Sequence, residues 1–436
     1  MKNTIYITIL CLFTVALNLQ AQEVKPISKE EVLAKVAGNN TTIQISKEEF
    51  NASKADYRQT NAVFLPNITA SHTGISTTNP LMSFGSKLNQ EILTANDFNP
   101  ALLNDPTTTR NFATKIEIQQ PLINLDGFYQ RKAAKTKMEA MSLKTERTQD
   151  YLAFEVDKAY MQLQLAYKAV EVLEKALDAA NANKQMADNS FKQGFLQQAD
   201  VLNVEIRVTE VKNQLQTTKS NVQNASNYLS FLMNDESYVV YKPTESLTVS
   251  NFNVDNKTIS ENRADIKAMH LASKAYEAMN KADKMAFLPR LNAFGSYEMY
   301  DNKIFQGDAN GYLIGAQLSW DIFQGSKRFG KAQKSKAELE KSKLEYNQYV
   351  SKSNLELNKV KRQLVDAKNS LELTDLAVQQ SEESLRIRKN RFKEGLEKTS
   401  DLLIAETQFA QKQLEYYQTI YQFNFTQTYL NFLTKK

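Results

Sequence analysis

The chain carries one long heptad-patterned stretch twice. Leu152, Val156, Ala159, Leu163, Ala166, Val170, Leu173, Leu177 and Ala180 follow one another at intervals of four and three. Shifted by 201 positions, the register returns as Leu357, Val360, Leu364, Ala367, Leu371, Val378 and Leu385, with Thr374 and Ser381 as polar members of the seam. A 3.5-residue spacing kept over many turns specifies helices packed as a left-handed coiled coil. Each stretch ends at a matching interruption. Phe191-Lys192-Gln193-Gly194 leads after five residues to Asp200-Val201-Leu202, and Phe392-Lys393-Glu394-Gly395 leads after five to Asp401-Leu402-Leu403. Gly194 and Gly395 supply the left-handed residue that ends a helix. Asp200 and Asp401 stand where a carboxylate can cap the next one. Val201, Val204, Val208, Val211 and Leu215 then match Leu402, Ala405 and Phe409 on the way back, so each half of an internal duplication contains a long helical hairpin. The helix leading to the first tip is expected to run from about Tyr129 to Lys192, too long a rod for a globular domain of this size to bury.

Two shorter helical runs precede the hairpins. The first extends from Ile27 to about Val63. Ser28 and Glu31 form a capping-box pattern at its start, and Gly38-Asn39-Asn40 break it. The second extends from Arg263 to Ala286. Both stop at Phe-Leu-Pro, at Pro66 and Pro289, because proline disfavours helix in the residue before it. Beyond each stop the period changes to two. Ile68, Ala70, His72 and Gly74 alternate with polar neighbours, and so do Leu291, Ala293, Gly295, Tyr297 and Met299. A second strand in each half holds Phe112, Ile116 and Ile118, or Tyr312, Ile314, Ala316, Leu318 and Trp320. Four strands of about ten residues with one apolar side suit a transmembrane barrel; two hairpins of a soluble sandwich share the pattern. The first inter-strand loop, about 77–111, reads as long and irregular, and the second as short.

Opening Met1-Lys2-Asn3, the apolar run Ile5 to Leu17 and the small residue Ala21 have the three regions of a secretory leader, so residues 1–21 are expected to be cut away. The only cysteine, Cys11, lies within that run, which leaves the exported part without thiolate chemistry. With 54 Lys and Arg against 49 Asp and Glu, the net charge of +5 is too small a bias to argue for nucleic acid. His72 and His270 are the only histidines, and neither a phosphate-cradling loop nor a metal-ligand cluster is found, so no enzyme, cofactor or metal is expected. The chain divides into the leader, a first repeat over 22–234, a linker over 235–260 and a second repeat over 261–436. Four strands cannot close a barrel, and open edges are not tolerated in lipid, so other copies must complete the sheet: eight strands for a dimer, twelve for a trimer. The hairpins would then assemble into a hollow helical cylinder. The fold class is mainly α with β, namely coiled-coil hairpins plus four barrel strands per chain.

The duplicated order of helix, two strands and long hairpin, the paired Phe-Leu-Pro stops, the Arg263-Ala264-Asp265-Ile266 opening and the two tips resemble the TolC family of outer-membrane efflux proteins. The resemblance implies a homotrimer with a twelve-stranded barrel in the outer-membrane lipid and an α-helical tunnel in the periplasm. It also implies docking on a periplasmic adaptor and an inner-membrane transporter of RND, ABC or MFS type. It assigns Asp200 and Asp401 to a narrow acidic ring at the periplasmic gate, and Gly194, Gly395, Phe191 and Phe392 to the hairpin turns and adaptor docking. Some relatives add an aspartate where Asn203 and Ile404 stand. Some carry a tyrosine where Phe392 stands and an arginine where Glu397 stands, which form closing links to the neighbouring hairpin, and neither of those two links can be made by the residues here. The reading is a passive export duct. The rival is a periplasmic adaptor or structural coiled-coil protein without a pore.

Overall fold

The computed structural model describes residues 24–237, 239–251 and 258–435; the expected leader lies outside them, and the expected linker partly so. In chain order the elements are β1 (Val24–Ile27), α1 (Lys29–Asn39), α2 (Thr41–Gln59), β2 (Asn67–Thr77), α3 (Pro80–Asn89), α4 (Pro100–Asn104), β3 (Thr109–Ile123), α5 (Leu125–Lys192), α6 (Gln198–Met233), β4 (Val240–Pro243), α7 (Ala264–Met285), β5 (Arg290–Asp301), β6 (Ala309–Ser319), α8 (Lys327–Lys393) and α9 (Thr399–Thr434). The 68 residues of α5 span about 100 Å at 1.5 Å per residue. Among the described residues no helix is long and apolar enough to cross a membrane.

These elements form two compact units, and both repeats contribute to each. One takes residues up to 48 with 143–266 and 349–436; the other takes 49–142 and 267–348. In the first unit the expected heptad register is the core. Val156, Leu163, Val360 and Leu364 are fully buried, as are Val204 and Leu402 on the returning helices. Around α5 and α6 the core also gathers Val32 and Val36 of α1 with Tyr241 of β4, and β1 pairs in parallel with β4. The duplication extends to individual hydrogen bonds. Tyr228 donates to Glu155 at 3.1 Å, and Tyr429, 201 positions on, donates to Glu356 at 3.3 Å. Asn40 donates to the carbonyl of Leu232 at 2.7 Å, while Arg263 donates to the equivalent carbonyl of Leu433 at 2.9 Å. Ser28 caps α1 by accepting from Glu31 N at 3.2 Å, and the Glu31 carboxylate pairs with Lys35.

The second unit is built on one antiparallel sheet in the order β2-β3-β5-β6. Its register sets Ile68 opposite Ile118, Ile118 opposite Gly295 and Gly295 opposite Ile314. All the expected apolar alternations therefore fall on one side. Close approach explains two glycines: a Cβ on Gly74 would lie 2.8 Å from the Phe112 ring, and one on Gly315 would lie 2.6 Å from the Phe294 ring. Each ring belongs to the residue directly across the ladder. β3 runs further than its sequence suggests, through Pro121 to Ile123, with a register shift between them where proline lacks the N–H.

The first loop corrects its reading as irregular, since it holds α3, a 3₁₀ turn over Ala95–Phe98, and α4. Asn79 accepts from Met82 N at 3.1 Å with Pro80 in the first turn, and Asn99 with Pro100 does the same for α4. These Asn-Pro pairs start helices.

Truncating a seam residue measures this packing. Leu163→Ala is expected to cost about 2–5 kcal/mol in unfolding experiments, and exposed Arg362→Ala about 0.5 kcal/mol or less; equal costs would place the seam elsewhere.

Candidate functional site

The strands give the sheet two chemically different sides. On one lie Ile68, Ile116, Ile118, Tyr297, Tyr312, Ile314 and Leu318, all exposed. On the other, Lys115 pairs with Glu117 at 3.1 Å and with Glu298 at 3.3 Å, Gln119 donates to Glu117 at 2.8 Å, and Tyr300 donates to Glu298. An apolar side and a hydrogen-bonded charged side are what a wall between lipid and water needs. The edge strands are β2 and β6. His72 belongs to the apolar side. Its Nδ1 lies 2.8 Å from Thr114 Oγ1 and its ring stacks 4.4 Å from Phe305, a wall position.

At both hairpin tips the chain turns by the same device. Gly194 has φ +82° and Gly395 φ +72°. Phe195 N donates to Ser190 O and Gly194 N to Phe191 O, both at 2.9 Å; Leu396 and Gly395 repeat this on Arg391 and Phe392. This is the Schellman pattern, in which a left-handed residue lets two N–H groups satisfy the last carbonyls of the helix. Phe191 and Phe392 thus sit in the final turns, and Phe191 is exposed.

Beyond the glycines the tips differ. Gln197 precedes α6 and forms a reciprocal box with Asp200, whose carboxylate accepts from Gln197 N at 3.3 Å. Lys398 precedes α9 and caps it with no side-chain bond, so Asp401 lacks the partner Asp200 has. Both aspartates stand three positions after the cap residue, within the first turn, where the helix dipole favours negative charge. The second tip is held instead by Glu397, which takes Arg388 at 2.7 Å and Arg391 at 2.8 Å. The hydrogen bond from Arg391 keeps its carboxyl below the usual range.

A polar cluster that the spacing did not flag lies farther along the hairpins. Glu406 of α9 is 8% exposed and accepts from Asn183 of α5, so a direct polar link joins the two hairpins. Arg207 of α6, 7% exposed, lines with Glu406 a cavity of about 120 Å³ walled by Val172, Ala176, Leu385 and Phe409. Burial pushes the Glu406 carboxyl above the usual range, and the Asn183 bond opposes this.

The chain matches the family model for outer membrane efflux proteins over residues 32–235 and 257–434. The chain is an outer membrane efflux protein. It therefore sits in the outer membrane as an exit duct for efflux, with a tunnel reaching into the periplasm. Solved structures with the same fold include a membrane protein from Pseudomonas aeruginosa (TM-score 0.82, 17% identity, 93% of each chain covered). The CusC transmembrane channel has a TM-score of 0.81 at 15% identity, over 93% of this chain and 92% of that one. The CmeC outer membrane channel of Campylobacter jejuni has a TM-score of 0.81 at 17% identity, over 93% and 85%. Among curated protein sequences none matches.

For this efflux protein the buried carboxylate gives a pH signature. A carboxyl raised by burial costs stability when ionised and none below its unfolded value of 4.5. Glu406→Gln is therefore expected to melt above the parent at pH 8, with the difference shrinking toward zero as pH falls to 4.5. A difference constant across that range would contradict the assignment.

Proposed function

We propose that the protein works as a homotrimer whose three sheets, joined β6 to β2, close a twelve-stranded barrel. The paired hairpins of the three copies would form the tunnel. The observation carrying this reading is the sheet, with one apolar side, one charged side and a free edge at each end. Lipid cannot satisfy the backbone groups of an open edge, and four strands are too few to curl onto themselves. In this reading the chain divides into a leader over 1–21, repeats over 22–234 and 261–436, and a linker over 235–260.

Transport through such a duct is passive. It needs no nucleotide or catalytic residue, and its energy comes from an inner-membrane transporter of RND, ABC or MFS type reached through a periplasmic adaptor. The tips suit adaptor docking: Gly194 and Gly395 fix the turns while Phe191, Phe195 and Leu396 are exposed beside them. Pro66 and Pro289 end the helical runs just before β2 and β5 begin. Asp200 and Asp401, threefold repeated about one axis, form an acidic ring that concentrates cations at the gate.

Mass measurement in detergent is expected to give three chains, with the protein resisting carbonate extraction from membranes; a monomer, or release by carbonate, overturns the trimeric barrel. In planar bilayers the double variant Asp200→Ala, Asp401→Ala is expected to lose cation preference and block by divalent ions. Unchanged block removes these carboxylates from the pore and leaves them only their place in the first helical turn.

A further inference from the structure

Helix α3 is inside out. Its buried residues are Ser83 and Ser86, continued by Gln90 at its C-cap, while on the opposite side Leu81 is 81% exposed and Leu88 56%. Phe84 lies between these two leucines on the same stripe and meets Phe98, 60% exposed, edge to face at 5.6 Å. The buried side is polar because it is bonded to β3. Ser83 pairs with Thr109, and Gln90 donates to Arg110 O and Asn111 Oδ1, each at 2.8 Å. The loop is also fixed to the helix, since Lys87 holds Asp97 at 2.8 Å and Asp97 accepts from Thr94 N at 2.8 Å. An apolar stripe on a helix anchored this firmly is a surface awaiting cover.

Which side of the sheet α3 covers decides what covers it. Thr109 and Asn111 share the side of β3 that carries Lys115 and Glu117, because residues two apart on a strand face the same way. That is the charged side, which lines the pore in the trimer proposed above. The helix lies at the end of the sheet away from the strand ends that lead to α2 and α5, hence at the outer mouth. Lipid tails do not reach a pore wall. The loop over 78–108 has one lysine against one glutamate and two aspartates, a poor match to an anionic lipid surface. Twelve strands about 4.8 Å apart and tilted by about 40° enclose a cylinder on the order of 12 Å in radius. A helix about 10 Å wide seated on its inner wall reaches close to the axis, where it meets only its own copies.

We propose that α3 is a plug helix: the stripe of Leu81, Phe84 and Leu88, with Phe98, packs against the same stripe of the neighbouring copies and closes the outer mouth of the duct. The occupant of the stripe is a second copy of this chain. The inference rests on the trimeric barrel, and its test separates the two.

Single-cysteine variants Leu81→Cys and Leu88→Cys are made in a Cys11→Ala background, purified in detergent and oxidised with copper phenanthroline. The assembled mass is measured in parallel. The expected result is a trimeric mass with disulfide-linked dimers replacing most of the single-chain band on non-reducing gels, while Thr69→Cys on the barrel wall stays unlinked. Trimeric mass with no cross-link from either stripe position overturns the plug and leaves the barrel standing. A monomeric parent overturns the barrel and the plug with it. A fluorophore on Leu88→Cys, reconstituted in brominated phospholipid, supplies an independent reading: no quenching accords with the plug, and strong quenching, which puts lipid on the stripe, overturns it even where chains cross-link.

Discussion

Everything about this molecule follows from hydrogen bonds that a single chain cannot complete. A sheet ordered β2-β3-β5-β6 leaves one side of β2 and one side of β6 without a ladder partner, and its apolar side removes water as a substitute. Each unmade backbone bond in hydrocarbon costs several kcal/mol. The duplication supplies the sheet economically. Each repeat contributes one hairpin, and β3 and β5 join the repeats down the middle through a continuous ladder. The glycine–phenylalanine pairs let the strands approach where two side chains would collide.

The helical repeats are alike in their seams and different at their tips. Tyr228 with Glu155 and Tyr429 with Glu356 show that the same contact has been kept in both copies. Beyond the two left-handed glycines the devices part. One tip uses a reciprocal capping box and the other a carboxylate gripped by two arginines. The Asn183–Glu406 bond then ties α5 to α9 across the hairpins. A buried carboxylate is a poor source of stability, because ionising it away from water costs more than one hydrogen bond returns. Arg207 lines the same cavity, together with Lys175, Gln413 and the apolar side chains around them.

Much of this fold is legible in the order of residues because periodicity survives without coordinates. The heptad leucines fix which side the long helices bury, and the two-residue alternation fixes which side of the sheet is apolar; the structure keeps both. The loop over 77–111 reads as irregular because it is rich in Asn-Pro pairs, yet Asn79-Pro80 and Asn99-Pro100 carry the cap and first-turn chemistry of helix starts. Glu406 was illegible for a different reason. A charged residue next to a seam position reads as solvated, and it is the first hairpin, distant in sequence, that covers it through Asn183. The Arg263 and Asn40 bonds to equivalent carbonyls were hidden because unlike side chains do one job. At the tips, spacing located both aspartates, but not that only Asp200 has a capping partner.

The glycine–phenylalanine pairs bear on how this sheet can change over generations. Gly74 and Phe112 are far apart in sequence yet directly opposed, as are Phe294 and Gly315. Adding a methyl group to either glycine drives it into an aromatic ring, which must then give way. The glycine cannot gain a side chain while the ring keeps its place, so what each glycine position tolerates depends on the residue across the ladder. A library randomising both members together should recover working combinations that two successive single-site libraries would miss.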